Sequence, residues 1–375
     1  MDLDLSVDQL AAAELARRIL ADHASPELLR SMEGDGATMA TDAWRHLGAA
    51  GLLAVALPEE HGGADLGMVA ACALAEEVGA TVAPIPYVSS VVQAGMTIAA
   101  HGTDAARTEW LDAVSSGQRI LTVALAEDFT GIAPSEPAVR ATPHGGGWVI
   151  DGESWFVPWL LDADRVIVPA TTPDGPIMVA LDPQADGVAT DPVESISRAR
   201  RHHCTWRTVA VNRDEVVVGV KRGPAALRAL HARSQLAVAA TLAGVCREAV
   251  RLTAAHASER EQFGVKIGTF QAVAHQAANA WTDARAVALT TRSAAWRLDA
   301  GLPADEAIEI AAWWAASGSE RVAHTAQHLH GGIGVDTGYP LHRYFRWAKE
   351  LQLTLGSTGH HLAALGARLA GDPVS

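Results

Sequence analysis

The stretch Ser258-Glu-Arg-Glu-Gln-Phe-Gly-Val-Lys-Ile-Gly-Thr-Phe-Gln271 decides how this chain is read. Gly264 and Gly268 interrupt a helical pattern that runs on both sides of it. The same short span carries a guanidinium (Arg260), two amides (Gln262 and Gln271) and an aromatic ring (Phe263). Such a turn suits an anionic, hydrogen-bonding ligand, because arginine offers planar donors that stay charged. It equally suits a plain connector between two bundle helices, and the flanks separate these readings.

Upstream, from Pro224 to Arg260, apolar residues at Leu236, Ala239, Ala243, Cys246 and Val250 recur in threes and fours, as a bundle seam requires. Downstream, helices are predicted over 272–300, ending at Gly301-Leu-Pro303, and over 305–329, stopped by Gly331-Gly332. A last helical run covers 339–369 with a break at Gly356. Residues 222–375 therefore read as a four-helix bundle.

The N-terminal part, 1–118, is helical as well. Leu10, Ala13, Leu15 and Ile19 mark a helix over 7–22, and Trp44, Leu47 and Leu52 continue the pattern until Pro58. Pro58 and Gly62-Gly63 make Leu57–Leu66 a loop, so Glu59, Glu60 and His61 read as solvent-facing neighbours and not as an acid/base cluster. A helix follows over 68–78, with Gly79 in the place of a C-cap glycine, and helical spacing resumes over 88–100 after Pro84 and Pro86.

Between 119 and 221 the period changes. Short apolar or alternating runs at 120–126, 148–150, 155–157, 165–170, 177–181, 206–211 and 216–220 are separated by Gly, Pro and Asp, as in a small antiparallel barrel or sandwich. Gly145-Gly-Gly147 reads as a hairpin turn; a phosphate loop would open a helix, and Trp148-Val-Ile-Asp151 is strand-like. His202-His203-Cys204 lacks a second ligand pair at finger spacing and reads as a solvated turn, with no metal. The expected fold class is α+β: helical domain, small β domain, helical bundle.

A formal charge of −14 argues against nucleic acid or an anionic membrane as partner, since polyanions are held by basic faces. The three cysteines are scattered and fit reduced thiols in a cytoplasmic protein. Neither an export signal nor an apolar run of membrane-spanning length is apparent.

In that order of domains the motifs resemble the acyl-CoA dehydrogenase family, and the likeness covers nearly the whole chain. Trp44…Leu47-Gly48…Gly51-Leu-Leu53…Pro58-Glu-Glu-His-Gly-Gly63, followed by Glu76-Glu-Val-Gly79, looks like the family's opening domain. Arg260-Glu-Gln-Phe-Gly264…Ile267…Phe270-Gln271 is similar to its most recognisable motif, and His330-Gly-Gly-Ile-Gly334 with Pro340-Leu-His-Arg-Tyr344 resembles the turn before its final helix. The resemblance implies FAD as cofactor. It implies that Arg260, Gln262, Phe263 and Gln271 reach across a dimer interface to the pyrophosphate and adenine half of a partner subunit's flavin. His328 takes the place of the glutamine before the double glycine, and Gly331 and Gly332 would allow close backbone approach to the cofactor.

The family reaction is α,β-dehydrogenation of an acyl-CoA, with a carboxylate removing the α-proton. That weak acid demands a positioned base with a matched pKa in a dry site. The position of the usual glutamate falls on Gly356, in Thr354-Leu-Gly-Ser-Thr358. The place of the base in a minority of members, on the first bundle helix, falls on Ser234. Neither residue is a carboxylate, so no catalytic residue is expected; Glu248 and Glu350 on flanking helices are the candidates for a relocated base. The β domain departs too. Of the Thr-Glu-Pro and Gly-Ser-Asp segments that hold flavin, Ala126–Ser135 retains fragments, and Trp155-Phe-Val-Pro158 stands where an aromatic-Ile-Thr stretch stacks on the ring.

The chain thus keeps what a subunit lends to its neighbour's flavin and has lost much of what holds its own. This resembles the glutamate-less partner in actinobacterial acyl-CoA dehydrogenases that act on steroid side-chain CoA thioesters, heterotetramers with two copies of each subunit. That reading implies a glutamate-bearing homologous partner, an FAD shared with it, acyl-CoA bound mainly by the partner, and an electron-transfer flavoprotein as acceptor. The competing readings are a self-sufficient homotetramer with a relocated base and a non-enzymatic acyl-CoA- or flavin-binding homologue.

Overall fold

The computed structural model describes residues 3–35, 38–127 and 136–371. Two compact units divide the chain: one takes residues 1–37, 72–83 and 235–374, the other 38–71 and 84–234.

The N-terminal helices are α1 (Val7–His23), α2 (Pro26–Asp35), α3 (Thr41–Ala49), α4 (Gly67–Thr81), α5 (Met96–His101) and α6 (Asp104–Ser115). Ser6 opens α1 with a capping box: its hydroxyl accepts from the Gln9 N–H, and the Gln9 side chain accepts from the Ser6 N–H. Thr103 caps α6 by accepting from the Ala106 N–H. The segment Tyr87–Gly95, between α4 and α5, is π-helical.

Gly79 is not the end of α4 but lies within it. A Cβ there would sit 1.9 Å from the Thr241 carbonyl oxygen, and one on Gly244 would sit 1.8 Å from that of Glu76. These two glycines let backbones touch where α4 meets the long helix α7 (Gly223–Glu259).

In the unit containing the middle of the chain, β1 (Leu121–Val123), β2 (Arg140–His144), β3 (Gly147–Pro158), β4 (Arg165–Thr172), β5 (Gly175–Leu181), β6 (Val188–Val193), β7 (Arg201–Val211) and β8 (Val216–Val218) form one eight-stranded sheet. Its order is β6-β7-β3-β2-β4-β5-β8, with β1 on β4. β1 and β2 run parallel to β4, and the other pairings are antiparallel. Gly145 and Gly146, at φ +57° and +88°, form the two-residue turn between β2 and β3. Ile150, Val157, Val168, Val179 and Trp206 fill the core, and the Trp206 indole N–H donates to Ser154 Oγ at 3.0 Å. His202-His203-Cys204 is strand, not solvated turn. The alternation of β7 buries His202 and Cys204 and puts His203 on the other face. Among the described residues no group of His, Cys, Asp and Glu could hold a metal ion.

In the other unit, the part of α7 from residue 235 onward is followed by β9 (Glu261–Gln262), β10 (Val265–Lys266), α8 (Gln271–Asp299), α9 (Asp305–His330), α10 (Leu341–Leu355) and α11 (Thr358–Leu369). Leu242, Cys246, Val287, Ala315, Val322 and Leu341 are among its core residues. Glu77 is 2% exposed and is held by Arg17 at 2.9 Å and Arg247 at 2.8 Å, while Arg247 also reaches Glu76. A carboxylate is tolerated at such depth only with charge partners of this kind. No helix among the described residues is long and apolar enough to cross a membrane.

Candidate functional site

α7 does not stop cleanly at Glu259: the Arg260 N–H still donates to the His256 carbonyl at 2.8 Å. The chain then reverses through β9 and β10, with Gln262 opposite Val265 and Glu261 opposite Lys266. Phe263 and Gly264, both at positive φ (+55° and +79°), make the turn. The Ile267 N–H closes the hairpin on the Arg260 carbonyl at 2.8 Å, and the Lys266 ammonium donates to the Glu259 carbonyl and pairs with Glu261, each at 2.9 Å. Backbone and Lys266 thus hold the hairpin, and the predicted ligand groups are left facing outward. Phe263 is 92% exposed, touched edge-on by Phe270. The Gln262 amide donates only to the neighbouring Glu261 carbonyl, and the Arg260 side chain has no hydrogen bond or ion pair among the described residues. From Ser258 through Gln271 to Asn279 no residue is buried. A helix normally gains its stability by burying one face; among the described residues the first turns of α8 bury none.

The second part of the candidate site is the end of α9. Gly331, at φ +63° and ψ −139°, donates its N–H to the carbonyls of Gln327 and His328. A Cβ on Gly331 or Gly332 would meet nothing within 4 Å, so this corner faces open space, and His328 beside it is exposed. His330 is buried. Its Nδ1 lies 2.8 Å from the Ala326 carbonyl, which can only accept, so Nδ1 carries the hydrogen and Nε2 accepts from the Tyr339 hydroxyl at 3.1 Å. Burial lowers the pKa of His330, partly offset by that carbonyl. The His330 ring stacks on His256 at 4.4 Å with 19° between planes. Through this stack the two motifs meet: Arg260 follows His256 by one helical turn, and Gly331 follows His330 directly. His256 escaped the reading of the sequence, although its i, i+4 spacing to Arg260 was the available signal.

The positions where a base was sought are built differently. Gly356 is buried at the break between α10 and α11, at φ +96° and ψ −179°, a region open essentially to glycine alone. The preceding carbonyl, Leu355, is bound by His361 Nε2 at 3.0 Å, and His361 Nδ1 lies 2.8 Å from Glu309 Oε2. Ser234 is buried, donates to the Leu230 carbonyl at 2.6 Å and accepts from the Gln93 amide at 3.1 Å. Glu248 is engaged by Arg251 through contacts of 2.6–2.9 Å, and Glu350 is 9% exposed.

In the sheet, one face of the Trp155 ring is covered by His203, stacked at 3.8 Å, and His203 also meets Glu153 at 3.2 Å. The Pro158 carbonyl accepts from the Thr122 hydroxyl, and Ala126 pairs with the Trp155 backbone. The Glu127 carboxylate accepts from the N–H groups of Ala138 and Val139. Asp128–Ser135, the rest of the expected flavin segment, lies outside the described residues.

Two family descriptions account for most of the chain: "Acyl-CoA dehydrogenase, N-terminal domain" matches residues 6–118, and "Acyl-CoA dehydrogenase, C-terminal domain" matches residues 222–370. The chain belongs to the acyl-CoA dehydrogenase family. It is 33% identical over 357 residues to the acyl-CoA dehydrogenase FadE27 of Mycobacterium tuberculosis, covering 93% of each chain. A chain of the ChsE4–ChsE5 complex from Mycobacterium tuberculosis matches with a TM-score of 0.92 and 33% identity over 100% of both chains. A variant of the Tcur3481–Tcur3483 steroid ACAD matches with a TM-score of 0.90 and 39% identity, over 98% of this chain and 99% of that one.

The fold is that of the acyl-CoA dehydrogenases: N-terminal helices, a central β sheet and C-terminal helices. As a member of this family the chain is an oxidoreductase by class. The Arg260 guanidinium, without a partner among the described residues, and the open Gly331-Gly332 corner fit a phosphate-bearing cofactor such as the ADP half of FAD: the guanidinium supplies charge and donors, and the glycines leave room.

Proposed function

We propose that this chain is the glutamate-less subunit of a heteromeric, FAD-dependent acyl-CoA dehydrogenase, and that its Arg260 hairpin completes the flavin site of a homologous, glutamate-bearing partner. One contrast carries the reading. Both base positions are occupied by groups that cannot take the α-proton, while the hairpin is exposed throughout and the Arg260 guanidinium has no partner among the described residues.

FAD, when bound, supplies the hydride acceptor of the dehydrogenation. Arg260, Gln262, Phe263 and Gln271 contribute charge, amide donors and a ring surface to its ADP half. His328, Gly331 and Gly332 border the same side. The first turns of α8 receive their missing cover from the partner subunit. The proton is removed by the partner's carboxylate, because Gly356 and Ser234 offer none. The similarity to proteins solved as the ChsE4–ChsE5 complex and the Tcur3481–Tcur3483 steroid ACAD favours a bulky, steroid side-chain acyl-CoA as substrate. Electrons then leave to an electron-transfer flavoprotein.

Arg260→Ala, made in the complex co-expressed with the glutamate-bearing homologue, tests this directly. Loss of a charge-assisted phosphate contact of about 1.5–3 kcal/mol weakens binding by on the order of tenfold to a hundredfold. The purified complex is therefore expected to carry far less FAD, read from its visible absorbance against protein. Full flavin content would place Arg260 in a bundle connector instead.

A further inference from the structure

The His256–His330 stack has a half that the fold does not use. The inner face of His256 lies on His330, but its two ring nitrogens have no hydrogen-bond partner among the described residues, and the side chain is half-buried. The ring belongs to the last turn of α7, one turn before Arg260, so the two side chains share a helix face. Its partner ring precedes Gly331, the start of the open glycine corner. His330 cannot itself serve a ligand, since both its nitrogens are spent on Ala326 and Tyr339. It orients His256 instead.

Resting on the flavin-site reading above, we propose that His256 is a second phosphate-binding group of this chain, which donates a ring N–H beside Arg260 to the anionic ADP half of FAD. The ligand chemistry follows from the neighbours. A cation and a ring with free donors, flanked by glycines that leave open space, favour a polyphosphate oxygen over a neutral group.

The proton balance gives the pH dependence. The groups facing His256 are Glu259 and Arg260 from its own turn, His330 from α9 beneath it, and Tyr339 beyond His330. Without ligand its pKa lies below the usual histidine value, first through burial and then through Arg260, against a smaller opposite pull from Glu259. A bound phosphate favours the charged ring and raises that pKa. Binding therefore takes up a proton, and affinity grows as pH falls through the ligand-bound pKa toward the ligand-free one.

The test uses the co-expressed complex, stripped of flavin and titrated with FAD at about pH 6 and about pH 8, the range over which histidine changes charge. Wild-type affinity is expected to be higher at the lower pH. His256→Asn is expected to weaken binding about tenfold at the lower pH, the size of one charged hydrogen bond, and much less at the higher pH. His256→Phe keeps a ring on His330 but brings no N–H, so it should lose at least as much as His256→Asn, whose amide retains an uncharged donor. It also guards against a variant that merely misfolds. If either variant keeps wild-type affinity and its pH dependence while Arg260→Ala still loses FAD, His256 is no ligand and the proposal falls alone. If Arg260→Ala also keeps its FAD, the flavin-site reading falls and takes this proposal with it.

Discussion

Replacing His361 with alanine is expected to destabilise the protein by about 2–4 kcal/mol, because it removes a buried ring and leaves two buried acceptors without their partner. The side chain of His361 is fully buried, and that of Glu309 is 11% exposed. Both neighbours of the imidazole, Glu309 Oε2 and the Leu355 carbonyl, are acceptors, so both contacts are hydrogen bonds when each ring nitrogen carries hydrogen. Alanine removes both donors, leaves the Glu309 carboxylate without a partner at depth and opens a cavity between α9 and α11. Urea unfolding read by tryptophan fluorescence measures the loss, and the double variant His361→Leu, Glu309→Leu should recover a large part of it. A change of less than about 1 kcal/mol would mean that water replaces the ring and that the α10–α11 corner is not held by this pair.

Gly356→Glu is the second large effect, and here the expectation is a failure to gain function. The substitution puts a carboxylate where the proposed reading finds it missing, yet the backbone at φ +96° and ψ −179° is one that residues with a Cβ avoid. Forcing it costs about 1–3 kcal/mol before the carboxylate's burial is counted. The corner therefore either strains or rearranges, and in neither case is a base held in a defined place, which catalysis requires. Gly356→Ala should share the backbone penalty without the charge, so comparing the two separates strain from desolvation. The variant expressed alone should show no acyl-CoA-dependent bleaching. Bleaching would show that the chain holds its own flavin productively and lacked only the glutamate.

Much of the helical fold is legible because its signals are local. Periodicity and Gly/Pro punctuation place α7, α8, α9 and the break at Gly356 close to where they are found. Other elements lack such signals. β6 is an edge strand that includes Pro192, and β2 carries Pro143 with little apolar alternation, so neither shows the pattern of a buried strand. α2 and α6 were likewise not anticipated, the former short and largely exposed. Gly79 was misread because a glycine needed for close helix approach looks the same in sequence as one that ends a helix.

At the candidate site, Arg260, Gln262 and Phe263 stand out in the sequence through the family resemblance, with charge and donors intrinsic to the first two and a ring surface to the third. Their outward presentation was not legible, because it depends on the Phe263–Gly264 turn and the Lys266 contacts. The His256–His330 and His361–Glu309 pairs join residues far apart in the chain, and no spacing rule predicts either.

The central claim is that this chain serves a flavin it does not use by itself. The most direct measurement compares the purified chain alone with the chain co-expressed with its glutamate-bearing homologue, reading FAD per chain and anaerobic bleaching by acyl-CoA. The account predicts little flavin and no bleaching for the lone chain, and one flavin for each pair of unlike chains, bleached by substrate, in the complex. A lone chain that is yellow with a full complement of FAD and is reduced by acyl-CoA would contradict it.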